Sequence, residues 1–362
     1  MTILLIMFLF THWDKEPGIR VQNGGSPYVI TFSDTAFRLY FSGMGTPSGI
    51  QSAISYDGLN FVQESGVRIT PGDSMEDIVA DPTVVQLSNG YRMYYKGATG
   101  PGGPGQARHR IFSAFSQDGL DWTREGLRYQ NLGYPDYGWT SVPDAIKLRD
   151  GRIRIYYTSA TGGIRSIISY NGLDFTAEDG VRLAAVDPNV IYLSDSTYQM
   201  FFATQVGQPQ HIGYTNSQDG LNFTIIDTII SPGGPNDSLS CIDPSAIILS
   251  DGRTRAYYGG MNQNQMTILS AISPMSEISE TADRKSFSGI KISPNPAKAV
   301  FSINSSLLPN SIVKIYDSMG NLIKEYEPTN NEILISVLEN GIFFVVLEVN
   351  QIKITKKVII TK

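Results

Sequence analysis

A single short unit, written five times along the chain, limits the possible folds more than any other feature. Each copy opens with an extended run around a proline: SPYVITF (26–32), DPTVVQL (81–87), VPDAIKL (142–148), DPNVIYL (187–193) and DPSAIIL (243–249). A tight turn (SDT, SNG, RDG, SDS or SDG) leads to a second strand with an aromatic pair. These second strands read RLYF (38–41), RMYY (92–95), RIYY (154–157), QMFF (199–202) and RAYY (255–258). A third apolar strand follows, as in IQSAIS (50–55), IFSAFS (111–116), IRSIIS (164–169) and TILSAIS (267–273). Four copies then add a heptad, SYDGLNF (55–61), SQDGLDW (116–122), SYNGLDF (169–175) or SQDGLNF (217–223), and a fourth strand ending in runs such as GVRI, GLRY or GVRL. Four-stranded repeats of this kind bury their faces only against neighbouring repeats, which is the signature of a propeller.

The fifth copy runs out after Ser273 without a heptad. Its missing outer strand stands at the other end of the chain, in HWDKEPGIRV (12–21). Trp13 to Gly18 repeats the spacing of Phe61 to Gly66 and Phe175 to Gly180, and an apolar residue and Arg follow each time. The expected fold is therefore all-β: a five-bladed β-propeller over 12–275, closed by the N-terminal strand.

The heptad is read as turn chemistry. Asp-Gly or Asn-Gly between extended runs is a strong hairpin signal, and Gly58, Gly119, Gly172 and Gly220 tolerate the positive φ that such a turn needs. The motif resembles the sialidase Asp-box, shortened by one residue because Gly follows Asp directly. The alternative reading is a repeated ion ligand. A structural calcium is the one ion left open, and no cofactor is called for.

Composition agrees. Thirty-five Gly, 19 Tyr and 16 Phe suit a turn-rich β protein, while a net charge of −6 without a basic stripe argues against a nucleic-acid partner. Cys241 is the only cysteine, so an intrachain disulfide and a Cys-based metal site are excluded, and a buried small hydrophobe is expected. No stretch reaches the roughly 20 apolar residues of a membrane span. Residues 1–11 form an apolar remnant, MTILLIMFLF then Thr11, with no basic residue before the apolar run and no A-x-A-like site after it. It reads as a late start in the gene or the stump of a signal sequence.

Loop lengths separate the two ends of the blades. First-to-second and third-to-fourth turns are short. The long segments, 70–80, 96–110, 129–140 and 231–242, all fall on the opposite face, where binding is expected. First strands begin on that face nearest the axis, so Asp81, Asp187 and Asp243 should ring the mouth of a central funnel. Asp144 follows Pro143, and Glu76 and Asp77 precede Asp81; all three are further acid candidates. For each aspartate before proline, capping of nearby backbone is the structural alternative. Trp139, Tyr134 and Tyr137 could offer sugar platforms or pack on a blade edge. Arg110 and His211 hold matching places at the start of third strands; His211 could be a water-bridged ion ligand at the axis, with an ordinary hydrogen-bonded role as the alternative. The Gly-rich 97–105 lacks a phosphate-loop pattern and reads as a flap.

The blade count and the repeated D-P strand starts resemble the superfamily containing glycoside hydrolase families 43, 32 and 68, over residues 12 to about 275. That resemblance implies an Asp on the first strand of blade one, an Asp on blade two and a Glu acid on blade three. Asp81 matches the second. Ser26 stands at the first, and Ser141 in WTSVPDAI (139–146) stands where the Glu of an E-C-P-D stretch would be.

Polar 276–289 reads as a linker. Beyond it, 290–362 forms a small β-sandwich (Ig-like) with a D-S-M-G-N turn. SPNP, the VKIYDSMGNLI run, SVLENGIFFV and a Lys-rich last strand resemble the C-terminal sorting domain of type IX secretion substrates in Bacteroidota. The resemblance implies recognition by the type IX machinery, export, and release or attachment at the outer membrane surface. The functional expectation is an exported propeller acting on a polysaccharide or oligosaccharide, as a glycoside hydrolase or as a non-catalytic glycan-binding or adhesion module. Its candidate catalytic residues are Asp81, Asp144, Asp187, Asp243 and Glu76, and its candidate substrate contacts are Trp139, Tyr137, Arg110 and His211.

Overall fold

A computed structural model describes residues 13–33, 35–72, 74–100, 106–193, 197–205, 207, 209–274, 291–298, 300–304, 308–317, 322–336, 340–349 and 352–361. The 1–11 remnant, the 276–289 linker and much of the Gly-rich flap lie outside them. The chain divides into two compact units, 1–275 and 276–362.

Among the described residues the first unit holds five antiparallel four-stranded sheets. Sheet 1 runs Gly24–Ser33, Ala36–Gly43, Gly49–Ser55, Val62–Gln63; sheet 2 runs Ile78–Leu87, Gly90–Thr99, Arg108–Ser116, Thr123–Tyr129. Sheet 3 runs Thr140–Lys147, Ile153–Ser159, Gly163–Ser169, Thr176–Leu183; sheet 4 runs Val186–Tyr192, Tyr198–Ala203, Ile212–Ser217, Thr224–Ile230. Sheet 5 takes Ser240–Ile248, Thr254–Met261 and Met266–Ile272 from the end of the unit and Asp14–Lys15 from its start. Asp14 pairs with Ile272 and Lys15 with Ala271, so the N-terminal segment is the outer strand of sheet 5.

The first strands touch in a cycle, each against the first strands of the sheets before and after it. Apolar clusters repeat that cycle. Tyr40 and Ile50 meet Met93 and Phe112 between sheets 1 and 2. Phe37 and Leu39 meet Tyr257 and Ile268 between sheets 1 and 5, and Trp13 meets Phe201 edge-on at 5.6 Å between sheets 5 and 4. Each fully buried aromatic side chain stabilises this packing by about 1.5–3 kcal/mol.

The heptad acts here as a docking turn. Within each copy the Ser hydroxyl accepts from the Gly N–H, as Ser55 Oγ does from Gly58 N at 2.9 Å. The Asp or Asn accepts from the N–H groups two and three residues on, as Asp57 Oδ1 does from Leu59 and Asn60 at 2.8 Å each. The preceding sheet then donates three bonds to the turn's carbonyls. In sheet 2, Asp118 O accepts from Arg38 Nη1, Gly119 O from the Tyr40 hydroxyl, and Leu120 O from Arg68 Nη1. Gly172, Gly220 and Gly58 receive Tyr94, Tyr156 and Tyr257 in the same way. Each of the four second-strand Arg residues is held by a Glu on, or directly after, its own outer strand, as Arg38 is by Glu64 with two bonds of 2.9 Å. Sheet 4 carries Gln199 and Phe201 where the others carry Arg and Tyr, and it is the sheet that precedes the copy without a heptad.

The second aromatic of each pair anchors a crossing segment. Tyr95, Tyr157 and Tyr258 donate their hydroxyls to Glu76, Asp136 and Asp237, which lie in the long segments before sheets 2, 3 and 5. Sheets 1 and 4 have Phe41 and Phe202 there, which carry no hydroxyl to donate. Cys241 is buried, with Sγ 3.6 Å from Asp237 Oδ2.

The second unit has a three-stranded sheet, Lys291–Ser293, Val300–Asn304 and Glu332–Ser336, and a four-stranded one, Leu322–Tyr326, Ile312–Tyr316, Gly341–Val349 and Ile352–Ile360. Phe301, Ile303 and Ile335 from the first share one core with Val313, Ile315 and Val345 from the second.

Candidate functional site

Every first strand breaks its ladder at the residue before proline. Ser26, Asp81, Val142, Asp187 and Asp243 all have positive φ, between 46° and 54°, and each sits inside a register shift. For residues other than Gly this conformation is uncommon and costs free energy, so five copies at one place mark a built feature. Proline lacks an N–H and cannot continue the ladder, and the bulge re-aims the preceding side chain. Two of the kinks are tied across sheets: Asp81 N donates to Ser42 Oγ at 3.0 Å, and Asp187 N donates to Thr158 Oγ1 at 2.9 Å.

Two residues past each kink, a second ring binds the first strands together. Thr83 Oγ1 accepts from Ala145 N, Asp144 Oδ2 from Val190 N, Asn189 Oδ1 from Ala246 N and Ser245 Oγ from Val29 N, at 2.8–3.0 Å. Tyr28 completes the cycle with Thr83 and the Val84 backbone. Asp144 also accepts from Asn189 Nδ2 at 3.0 Å, which places it in this girdle. Burial pushes its carboxyl up to about 7 against those two donors.

The kink residues converge. Ser26 Oγ lies 2.9 Å from Asp81 Oδ1 and 2.8 Å from Asp243 Oδ2, and Asp243 is hydrogen-bonded in turn to Asp187. Lys96 Nζ, from the second strand of sheet 2, lies 2.6 Å from Asp81 Oδ2, with both side chains largely buried. Apart from this ion pair, that oxygen has no hydrogen-bond partner. Burial opposes ionisation of Asp81, yet Lys96 and the Ser26 hydroxyl outweigh it and hold the carboxyl below its usual range. Asp187 is driven well above that range by burial and by the charges of Asp243 and Asp81. Asp243 is raised for the same reasons, burial first and Asp81 second. Neighbouring carboxyl groups with opposed protonation preferences are a recurring feature of acid–base sites.

A cavity of about 470 Å³ opens beside this cluster, within the size range of small-ligand sites. Asp81, Asp243, Lys96, His109 and Trp139 line it, with Asp77 on its rim. His109 stacks on Trp139 with ring centroids 3.6 Å apart, and its Nδ1 is 2.9 Å from Ser141 Oγ. Burial, reinforced by Lys96, lowers the imidazole to about 3, so His109 is neutral here. Among the described residues, no group of three or more His, Cys, Asp or Glu is arranged to hold a metal ion.

The remaining sequence candidates lie apart from the cluster. Glu76 is buried, accepting from the Tyr95 hydroxyl at 2.6 Å and facing Arg124 at 3.5 Å, and so pins its own loop. Arg110 Nε donates to Gln130, and His211 Nδ1 pairs with Ser231 Oγ; neither lines the axial cavity. Tyr134 and Tyr137 are 74% and 53% exposed and meet edge-on at 6.1 Å. Ser26, Lys96 and His109 were not selected from the sequence. Lys96 is the single charged residue among those directly after an aromatic pair (Ser42, Lys96, Thr158, Ala203 and Gly259), and that signal was available.

The comparisons with known proteins join this geometry at two points. Residues 291–361 match the secretion system C-terminal sorting domain. This tail sends the chain through type IX secretion to the cell surface or outside. No curated protein sequence matches the chain. Solved structures do. An exo-1,5-α-L-arabinanase from a bovine ruminal metagenomic library superposes with a TM-score of 0.57 at 12% identity, over 71% of this chain and 94% of that one. The native arabinanase Arb43A of Bacillus subtilis gives 0.54 at 14%, over 70% and 95%. A structure titled for the GH130 family of mannoside phosphorylases, containing hydrolases that target β-1,2 mannosidic linkages in Candida mannan, gives 0.56 at 15%, over 74% and 95%. At these identities the likeness shows the fold alone, a β-propeller.

Proposed function

We propose that the chain is an exported glycoside hydrolase, a five-bladed propeller over 12–275 joined by a 276–289 linker to an Ig-like sorting sandwich over 290–362. It cleaves a glycosidic bond of a polysaccharide or oligosaccharide in the axial cavity. The observation that carries this reading is the carboxyl cluster. Glycoside hydrolysis needs one carboxylic acid that stays protonated and one carboxylate that stays ionised, on either side of the bond. Asp187 and Asp243 supply the first and Asp81, beside Lys96, supplies the second. In this reading Trp139, backed by His109, offers its ring to the sugar. The fold shared with arabinanases and with the GH130 structure supports a glycan as ligand.

Ser141 favours a second reading. It stands where an acid would be expected on blade three and is bonded to His109, which suits a site that holds a glycan without cutting it. Aryl glycosides and plant or algal polysaccharides, screened with the wild type, Asp81→Asn and Asp243→Asn, separate the two. The hydrolase reading expects product from the wild type and at least a ~100-fold loss in each variant. Equal trace release from all three would leave only binding.

A further inference from the structure

Arg110, at the start of the third strand of sheet 2, is a buried cation without a counter-charge. Its side chain is 8% exposed, and its one side-chain bond runs from Nε to Gln130 Oε1 at 3.1 Å. Nη1 is buried and meets no hydrogen-bond partner among the described residues. The other buried arginines are met at their terminal nitrogens. Glu64, Glu178 and Glu16 take Arg38, Arg154 and Arg255, and backbone carbonyls take Arg20 and Arg182. Burial and the charge of Arg108 both push the Arg110 guanidinium down from its ordinary value, and no carboxylate opposes them. A guanidinium still stays charged at neutral pH. Buried charges in native proteins are paired, so one left unpaired points to an anion that arrives from outside.

Arg108, two residues earlier, projects from the same side of the strand and is exposed. Among the described residues its side chain makes no hydrogen bond or ion pair. Its Cγ lies 3.6 Å from where a Cβ on Gly138 would stand, so it packs on the segment that carries Trp139. His109, between the two arginines, points the other way and lines the axial cavity. That cavity holds Asp81 and Asp243, with Asp77 on its rim, and is a poor place for an anion. The positions matching Arg110 in the other sheets are Gly49, Gly163, His211 and Thr267, so the paired arginines are not part of the repeat.

We propose that Arg108 and Arg110 form an anion subsite beside the axial cavity, which takes the carboxylate or sulfate group of an acidic glycan. The choice of a glycan rests on the hydrolase reading; the choice of an anion does not. Arg108 is exposed and meets the anion directly. Arg110 stands beside it, where burial keeps water from screening its charge and no acid claims its terminal nitrogens. A glycan with one unit in the cavity reaches the pair across Gly138, so the substrate has a neutral unit at the acids and an anionic unit next to it.

Calorimetric titration of the full chain, near pH 7 and at low ionic strength, tests this with three probes of equal length: a galacturonate, a sulfated galactose and a neutral galactose oligosaccharide. The wild type should bind at least one acidic probe ~10-fold more tightly than the neutral one, and salt should erase that preference. The net charge of −6 works against acidic ligands, so such a preference has to come from a local cluster of cations. Arg108→Gln and Arg110→Gln should each remove it and leave neutral binding unchanged. Arg108 is exposed, so its variant tests the subsite even if Arg110→Gln fails to fold. The tighter of the two acidic probes names the source, carboxylate or sulfate ester. Acidic probes that bind the wild type no more tightly than the neutral one would overturn the subsite, as would a preference that survives both substitutions. Either result leaves the hydrolase reading to its own screen, which includes neutral glycans. An acidic preference that is lost with the arginines, in a chain that cleaves nothing, would keep the subsite and remove the enzyme.

Discussion

Replacing Lys96 by Met removes the cation from the axial cluster while nearly preserving the side chain's length. The ammonium lies 2.6 Å from Asp81 Oδ2, and the two side chains are only 15% and 5% exposed. At an effective dielectric of about 20, Coulomb attraction at that distance is roughly 6 kcal/mol. The observable cost is smaller, because the pair was desolvated to form; removing one partner of a buried pair costs about 3–5 kcal/mol. Asp81 can also escape by taking up a proton, so the cost should depend on pH. In the wild type the Asp81 carboxyl is depressed, and its stabilising contribution is present above the unfolded value near 3.9 and is lost as pH falls through the folded one. In Lys96→Met that carboxyl is raised instead, and the folded variant binds a proton that the unfolded chain releases. The difference in unfolding free energy should be about 3–5 kcal/mol at pH 8 and shrink steadily towards pH 5. Guanidinium unfolding followed by tryptophan fluorescence is the assay, because all three tryptophans (Trp13, Trp122 and Trp139) lie in the first unit. A difference below ~1 kcal/mol, or one flat with pH, would refute the buried ion pair.

Two further outcomes follow from the geometry. Gly119 has φ +76°, and a Cβ there would fall 2.6 Å from the Tyr40 hydroxyl and 2.7 Å from Arg38 Nη1. Gly119→Ala should destabilise the first unit by at least about 2 kcal/mol in the same unfolding assay, while Gly151→Ala, at φ +89° with open space around it, should cost only the backbone share of about 1–2 kcal/mol. Burial and the Lys96 charge push the His109 imidazole down to about 3 in the folded chain, whereas the unfolded chain takes its proton near 6.5. Stability should therefore fall by about 1.4 kcal/mol for each unit the pH is lowered from 6.5 towards 3 on its account, and His109→Gln should flatten that slope in a pH series.

Much of this architecture could be read from the sequence because it is carried by local, repeated chemistry. Asp-Gly turns, proline-led strands and the Arg-x-aromatic pattern recur with one structural job each. The spacing from Trp13 to Gly18 placed the closing strand against the end of the unit. The aspartates before proline were drawn to the axis by the same repetition, and three of them meet there. What stayed hidden depends on the pleat. Arg110 and His211 do occupy matching positions, but the neighbouring residue of sheet 2, His109, faces the cavity, since successive side chains on a strand point to opposite sides. Asp144 and Glu76 were equally visible as acids, yet their partners, Val190 N and the Tyr95 hydroxyl, come from distant segments. Nothing near them in sequence announces a structural role. Ser26 stands where the resemblance implies an acid, and only the folded chain brings its hydroxyl against both Asp81 and Asp243.

The central claim is that the axial carboxyl groups act on a glycosidic bond. It is tested most directly by measuring sugar release from a panel of aryl glycosides and plant or algal polysaccharides by the wild type, Asp81→Asn and Asp243→Asn. The wild type should turn over at least one substrate, and both variants, each still folded by fluorescence, should lose at least ~100-fold. Release that is the same in the wild type and in both variants would contradict it.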